Sequence, residues 1–118
     1  MHRTLAAALA LTLTAMPAFA DAPEVAGATA SQGAGGWTFT VSVRHADTGW
    51  DHYADGWEVL DGEGERLGYR ELLHPHENEQ PFTRSLSGVE IPEGTASVTI
   101  RAHDSEHGWG EGFELVLD

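Results

Sequence analysis

Histidine is the residue type in this sequence best suited to chemistry. The chain has seven histidines in 118 residues, and six of them follow residue 44: His45, His52, His74, His76, His103 and His107. Imidazole binds zinc, copper(II), nickel and iron, so three or four imidazoles at one place form a site for such an ion. Cysteine is absent and both methionines lie within the first sixteen residues. The sequence after residue 16 therefore excludes disulfides, thiolate sites and soft copper(I) chemistry.

The closest pair of histidines is His74-Pro75-His76. Proline restricts the residue before it to extended backbone, so both imidazoles are expected to project to one side of the chain. The pair supplies two ligands and needs others from elsewhere in the fold. Nearby carboxylates can complete the shell, or can hold a ring N–H and fix its tautomer: Asp47, Asp51, Asp55, Glu77, Glu79, Asp104 and Glu106.

The other four histidines are candidate ligands with alternative interpretations. His52 lies among large side chains and can instead pack against a neighbouring loop, and His107 can be a turn residue. By strand alternation His103 is expected on the solvent face. His45 shares its parity with apolar residues, so a histidine that caps the core beside Asp104 is as good an interpretation as a ligand.

Three aromatic residues accompany these histidines: Trp50, Tyr53 and Trp109. One interpretation is a small apolar cluster that packs the loops against one another. The other is an exposed platform for a glycan or a protein, because exposed aromatic patches mark contact surfaces.

The first twenty residues have the three parts of a secretory signal peptide. Arg3 supplies positive charge, residues 5–15 are apolar, and Ala18-Phe19-Ala20 is a small-residue cleavage signal. We therefore expect residues 1–20 to be removed and the mature protein to be periplasmic or secreted. No later stretch has transmembrane length, so no membrane insertion is expected.

The charge of the chain excludes two classes of partner. All nineteen acidic residues follow residue 20, where the basic residues are five arginines and no lysine, and the whole chain has a formal net charge of −13. Nucleic acids and anionic lipid surfaces both require a basic patch, so neither is expected as a partner. The acidic surface favours solubility or adaptation to salt, and it raises the local concentration of cations.

Alternating apolar and polar residues predict a chain made of short strands. A loose lead-in at 21–36 is expected to contain a weak edge strand, and residues 37–118 are expected to form one β-sandwich domain. The seven predicted strands cover 25–31, 37–45, 55–61, 66–73, 82–89, 96–103 and 112–117.

Residues 89–100, two strands joined by Pro92-Glu93-Gly94, resemble part of fibronectin type III and immunoglobulin-like domains. The resemblance implies an all-β, seven-stranded sandwich and carries no function with it. In that topology the loops after the second, fourth and sixth predicted strands emerge at the same end. All six histidines map to that end.

A second resemblance involves the residues around the histidines. The run Gly49–Asp55, together with His74-Pro75-His76 and Asp104–Trp109, is similar to an uncharacterised family of small exported bacterial proteins. The resemblance implies export and no particular activity.

The motifs favour a binding protein over an enzyme. The sequence lacks a nucleophile elbow, a P-loop, a dinucleotide fingerprint and H-E-x-x-H. Copper–zinc superoxide dismutases also have an H-x-H pair on a sandwich, but their other histidine spacings are missing here. The leading hypothesis is a periplasmic module that binds copper(II) or zinc, for delivery, buffering or sensing with a partner protein. The alternative is a metal-free protein- or glycan-binding module that uses Trp50, Tyr53 and Trp109.

Overall fold

The computed structural model describes residues 22–117, so the predicted signal peptide lies outside the described residues. In this range the chain contains strands and no helix, and the prediction of an all-β fold is confirmed. No helix long and apolar enough to cross a bilayer occurs in residues 22–117. The eight strands are β1 (Glu24–Gly33), β2 (Gly36–Arg44), β3 (Ala54–Leu60), β4 (Arg66–Glu71), β5 (Phe82–Val89), β6 (Ser97–Asp104), β7 (Gly108–Trp109) and β8 (Phe113–Val116).

The strands form two antiparallel sheets. One sheet has the order β1-β2-β5, and the other has the order β4-β3-β6-β7 with β8 also paired to β6. One end of β6 pairs with β7, where His103 faces Trp109, and the other end pairs with β8, where Ile100 faces Phe113. The two-residue β7 was not predicted, because a strand this short has no alternation to reveal it.

The core lies between the two sheets. Alternate residues of β2 and β6 are buried, including Phe39, Val41 and Ile100, and Trp57 of β3 is fully buried among them. In β3 the alternation is lost, because Gly56 and Glu58 on the outer face of the sheet are buried as well. Glu58 is the charged residue of the two. Arg66 Nε donates to its Oε1 over 2.9 Å and Arg101 Nε donates to its Oε2 over 2.8 Å, so this carboxylate is compensated.

The stretch expected to be a loose lead-in is largely occupied by β1. This strand pairs with β2 from Glu24↔Arg44 to Gly33↔Gly36, over a longer range than the predicted 25–31. Its Ala, Gly and Ser residues have weak strand propensity, but backbone pairing along β2 outweighs propensity at an edge. Because Glu24 pairs with Arg44, β1 begins at the end of the fold where β2 leads into His45.

Replacing Ile100 by Ala should lower the free energy of unfolding by about 2–5 kcal/mol. The Ile100 side chain is fully buried, so its truncation leaves a cavity between the sheets. Urea unfolding at neutral pH measures the loss. The control is Val116→Ala, since that side chain is 65 % exposed and its loss should change stability by less than about 0.5 kcal/mol. Equal effects of the two substitutions would contradict the described core.

Candidate metal centre

Three connections meet at the end of the fold where β2 finishes: the β2–β3 loop (45–53), the β4–β5 loop (72–81) and the β6–β7 turn (105–107). Asp47 Oδ2 accepts a 2.6 Å hydrogen bond from the backbone N–H of His76, and Gln80 Oε1 accepts one of 2.8 Å from the backbone N–H of His45. The N–H of Ser105 donates to the carbonyl of Tyr53 over 2.9 Å. The loops that carry the histidines are therefore in mutual contact.

The Asp104 carboxylate is the centre of this region. Its side chain is fully buried at the end of β6, and its Oδ1 accepts hydrogen bonds from the backbone N–H groups of Glu106 and His107, over 2.5 and 2.9 Å. These two bonds fix the β6–β7 turn and the plane of the carboxylate. The second oxygen, Oδ2, is thereby left to face the histidines.

Three imidazoles approach Asp104 Oδ2. His45 Nε2 lies 2.5 Å from it, His52 Nε2 lies 2.8 Å and His107 Nδ1 lies 3.5 Å, while His52 Nε2 and His107 Nδ1 are 3.1 Å apart. Ligand atoms around a tetrahedral ion with bonds of 2.0–2.1 Å are separated by about 3.3 Å. The nitrogens of His45 and His52 lie closer to Asp104 Oδ2 than this, at hydrogen-bond distance, so each would have to move away from it by about 0.5–0.8 Å for an ion to enter.

We call His45, His52, Asp104 and His107 the inner cluster. A second set, the outer group, comprises His52, Glu106 and His107. Both the triad His45–His52–Asp104 and the outer group bring their ligand atoms close enough together to hold a metal ion. His52 belongs to both of these groups. His107 belongs to the outer group and is included in the inner cluster because its Nδ1 lies 3.5 Å from Asp104 Oδ2.

Asp47 holds His45 in the orientation that a ligand needs. Its buried Oδ1 lies 2.6 Å from His45 Nδ1 and also accepts a 3.1 Å bond from the backbone N–H of Ala54. This contact of Nδ1 with Asp47 directs the other ring nitrogen, Nε2, at Asp104. A carboxylate behind the second ring nitrogen is the usual support for a histidine ligand, and it fixes both the tautomer and the ring plane.

The electrostatics keep Asp104 ionised. Burial alone raises its pKa, but the backbone N–H groups of Glu106 and His107 and the nearby rings of His45 and His52 outweigh it. The net effect places the pKa of Asp104 below its ordinary value. A charged carboxylate at neutral pH is the form that a metal ligand requires.

His74 and His76 lie together, with ring centroids 4.6 Å apart, but neither belongs to the inner cluster or the outer group. The buried ring of His76 stacks on Phe82 at 3.9 Å, and its Nε2 accepts a 2.9 Å hydrogen bond from Arg84 Nη2. His74 is exposed, and its Nδ1 lies 3.1 Å from the carbonyl oxygen of Pro75. The H-x-H spacing alone could not predict that the ring of His76 would contact Phe82 and Arg84 instead of a metal-binding set.

His103 lies apart from the inner cluster on the outer face of its sheet. It is half-buried rather than open to solvent, since its Nδ1 lies 2.6 Å from Asp55 Oδ1 and its ring meets the edge of Trp109 at 4.8 Å. A carboxylate and an indole thus account for its surroundings. The structure places it with neither set of ligand-spaced side chains among the described residues.

The three aromatic candidates do not form one patch. Trp50 is 66 % exposed and meets Tyr53 edge to face at 5.5 Å. The ring contacts described for Trp109 are with His103 and with the guanidinium groups of Arg101 and Arg66, at 4.8 and 5.8 Å.

Sequence reasoning underestimated two carboxylates. Asp104 continues the alternation of Val98, Ile100 and Ala102 on the core-facing side of β6, so its parity was the signal that it would be buried. Asp47 lies two residues after His45, and no periodicity in the loop distinguishes it from its acidic neighbours.

One relative was found by comparison with known proteins. A "Putative lipoprotein" of Halomicrobium mukohataei is 51 % identical over 89 residues, which are 74 % of this chain and 43 % of the relative. The chain thus spans less than half the length of that protein. No family model matches the sequence, and no solved structure matches it.

His76 should make stability depend on pH. Burial lowers the pKa of His76 below 6.5, and Arg84 and His74 lower it further, against weaker opposite effects of Asp47 and Glu79. An unfolded chain binds this proton more readily, so the stability present above pH 6.5 is lost as pH falls through the folded pKa. Urea unfolding at about pH 7.5 and about pH 5.5 should show a smaller loss for His76→Gln than for wild type.

The control for this prediction is His74→Gln, which replaces the exposed neighbour and should keep most of the wild-type pH dependence. If His76→Gln lost as much stability on acidification as the wild type, the buried ring would not be the group that titrates.

Proposed function

We propose that this chain is an exported metal-binding module that holds copper(II) or zinc through His45, His52, His107 and Asp104. The observation that carries the proposal is the approach of three imidazole nitrogens to one buried carboxylate oxygen, all within 3.5 Å of it. Three histidines and a carboxylate are borderline and hard donors that suit zinc and copper(II), and no thiolate or thioether is available in the described residues to favour copper(I).

The inner cluster is already arranged for ion exchange. With both His45 nitrogens next to carboxylates, at 2.6 and 2.5 Å, protons between these groups hold the metal-free form together. A divalent cation can replace the proton between His45 and Asp104 while the one shared with Asp47 remains. The support for this view is the behaviour of histidine ligands generally, which bind through one nitrogen and keep a hydrogen bond on the other.

The cellular role we propose is delivery, buffering or sensing of the ion outside the cytoplasm. Support for export comes from the signal-peptide pattern at 1–20 and from the lipoprotein name of the relative. We also propose that the domain is an immunoglobulin- or fibronectin-III-like sandwich, supported by the strand orders β1-β2-β5 and β4-β3-β6.

The first test is a calorimetric titration of the untagged protein, stripped with chelator, with copper(II) and with zinc. We expect one ion per chain, and about 2.7 kcal/mol of added stability when free metal is about 100 times the dissociation constant. His52→Ala should weaken binding by more than about 100-fold, because it removes a ligand rather than a supporting residue.

His74→Ala is the matched control, since it removes a histidine from the same end of the fold but outside both ligand sets. It should leave the affinity within about twofold of wild type. Loss of binding in His74→Ala with retention in His52→Ala would move the site to the H-x-H pair. Absence of saturable binding by the wild type would end the metal hypothesis.

Asp47→Asn should weaken metal binding by about 10–100-fold without removing a ligand. The neutral amide oxygen of Asn accepts a hydrogen bond from the His45 ring more weakly than a charged carboxylate does. Calorimetry measures the change, and the variant's urea unfolding without metal separates it from a loss of fold. An affinity equal to that of the wild type would show that the ring of His45 does not depend on Asp47.

The alternative, a metal-free module for a protein or glycan, has its support in the exposed Trp50 next to Tyr53. Trp109 lies against Arg101 and Arg66 and not against Trp50 and Tyr53, so the aromatic platform is smaller than expected. Under this alternative Trp50→Ala would abolish binding of the partner, and His52→Ala would leave it unchanged.

A further inference from the structure

Exposure changes in one direction across the ligand-spaced side chains. The exposed fraction falls from 59 % for the Glu106 side chain to 39 % for His107 and 18 % for His52. It reaches 2 % for His45 and zero for Asp104. Glu106 and His107 therefore face solvent, and His45 and Asp104 lie behind them.

The ring of His52 connects the two sets. Its Nδ1 lies 3.6 Å from Glu106 Oε1, and its Nε2 lies 2.8 Å from Asp104 Oδ2. The two nitrogens of one imidazole thus face an exposed carboxylate and a buried one. His107, the other shared residue, lies against both His52 and Asp104, at 3.1 and 3.5 Å.

The geometry points to the outer group as an entry site for divalent metal ions, from which the ion passes to the inner cluster by way of the shared His52 and His107. This inference rests on the proposed function. The ion exchanges bound water for Glu106, His52 and His107 at the surface, and then exchanges Glu106 for Asp104 and His45. No redox change takes place. His52 binds the ion first through Nδ1, which faces Glu106, and then through Nε2, while its own proton moves by way of solvent from Nε2 to Nδ1. The proton between His45 and Asp104 leaves to solvent.

Glu106 is suited to a transient role. Its backbone N–H supports Asp104, but its side chain is the most exposed of the ligand-spaced groups and has no described hydrogen bond to hold it in place. Because fixing an unrestrained side chain costs conformational entropy, a carboxylate that no hydrogen bond holds binds an incoming cation weakly and releases it readily. Asp104, fully buried and bonded to two backbone N–H groups, is by contrast fixed in the final site.

The test measures how Glu106→Gln changes the rates of copper(II) or zinc binding and release, by stopped flow, and how it changes the dissociation constant. The substitution keeps the backbone N–H that supports Asp104. Because an entry site accelerates both directions equally, we expect association and chelator-driven dissociation to slow together by about threefold or more, with the dissociation constant within about twofold of wild type.

The matched control is Glu77→Gln, which removes one exposed charge from the β4–β5 loop and should leave both rates near the wild-type values. Measurements at about 1 M salt, where the Debye length is about 3 Å, remove the general effect of one lost charge. Unchanged rates in Glu106→Gln would overturn the entry site. A loss of affinity as large as the loss of association rate would overturn it too, because Glu106 would then be a resident ligand.

The two proposals fail in different ways. If the wild type does not bind the ion, the proposed function fails before the comparison begins. If the wild type binds one ion and Glu106→Gln matches Glu77→Gln in both rates, only the entry site fails.

Discussion

The arrangement of this end of the protein depends on the buried Asp104 carboxylate. A charge in the interior is stable only when it is fully compensated, and here two backbone N–H groups take one oxygen while histidines surround the other. The same bonds shape the β6–β7 turn, so the conformation of the turn and the gathering of the imidazoles have one cause. Asp47 repeats the arrangement in the β2–β3 loop, where it bonds to His45, Ala54 and His76.

The two buried aspartates, Asp104 and Asp47, have different roles in the proposed site. Asp104 faces the imidazole nitrogens, whereas Asp47 lies behind His45 and ties the β2–β3 loop to the β4–β5 loop. The histidine that sequence spacing favoured, His76, takes part in this arrangement through its backbone N–H rather than through its ring. Its ring is held by Phe82 and Arg84 at the start of β5.

Much of the fold could be predicted from the sequence, because period-two alternation marks strands wherever one face is buried. The predicted 82–89 coincides with β5, and the predicted 96–103 differs from β6 by one residue at each end. The set of candidate ligands was harder to predict from the sequence. Local spacing makes His74 and His76 look like a pair, whereas His52 and Asp104 are 52 positions apart and meet only through the pairing of β3 with β6. No pattern within one segment contains that contact.

The pairing of β3 with β6 also determines when the site can exist. Its histidines come from two regions of the chain, His52 and His107 being 55 positions apart, so a partly folded chain holds no more than fragments of the inner cluster. Loop closure over that distance must come before any ion is held tightly. At the proposed site, metal loading would therefore be a property of the finished fold, and unfolding or proteolysis of the domain would return the ion to its surroundings. The lifetime of an ion bound at the proposed site could not exceed the lifetime of the folded state.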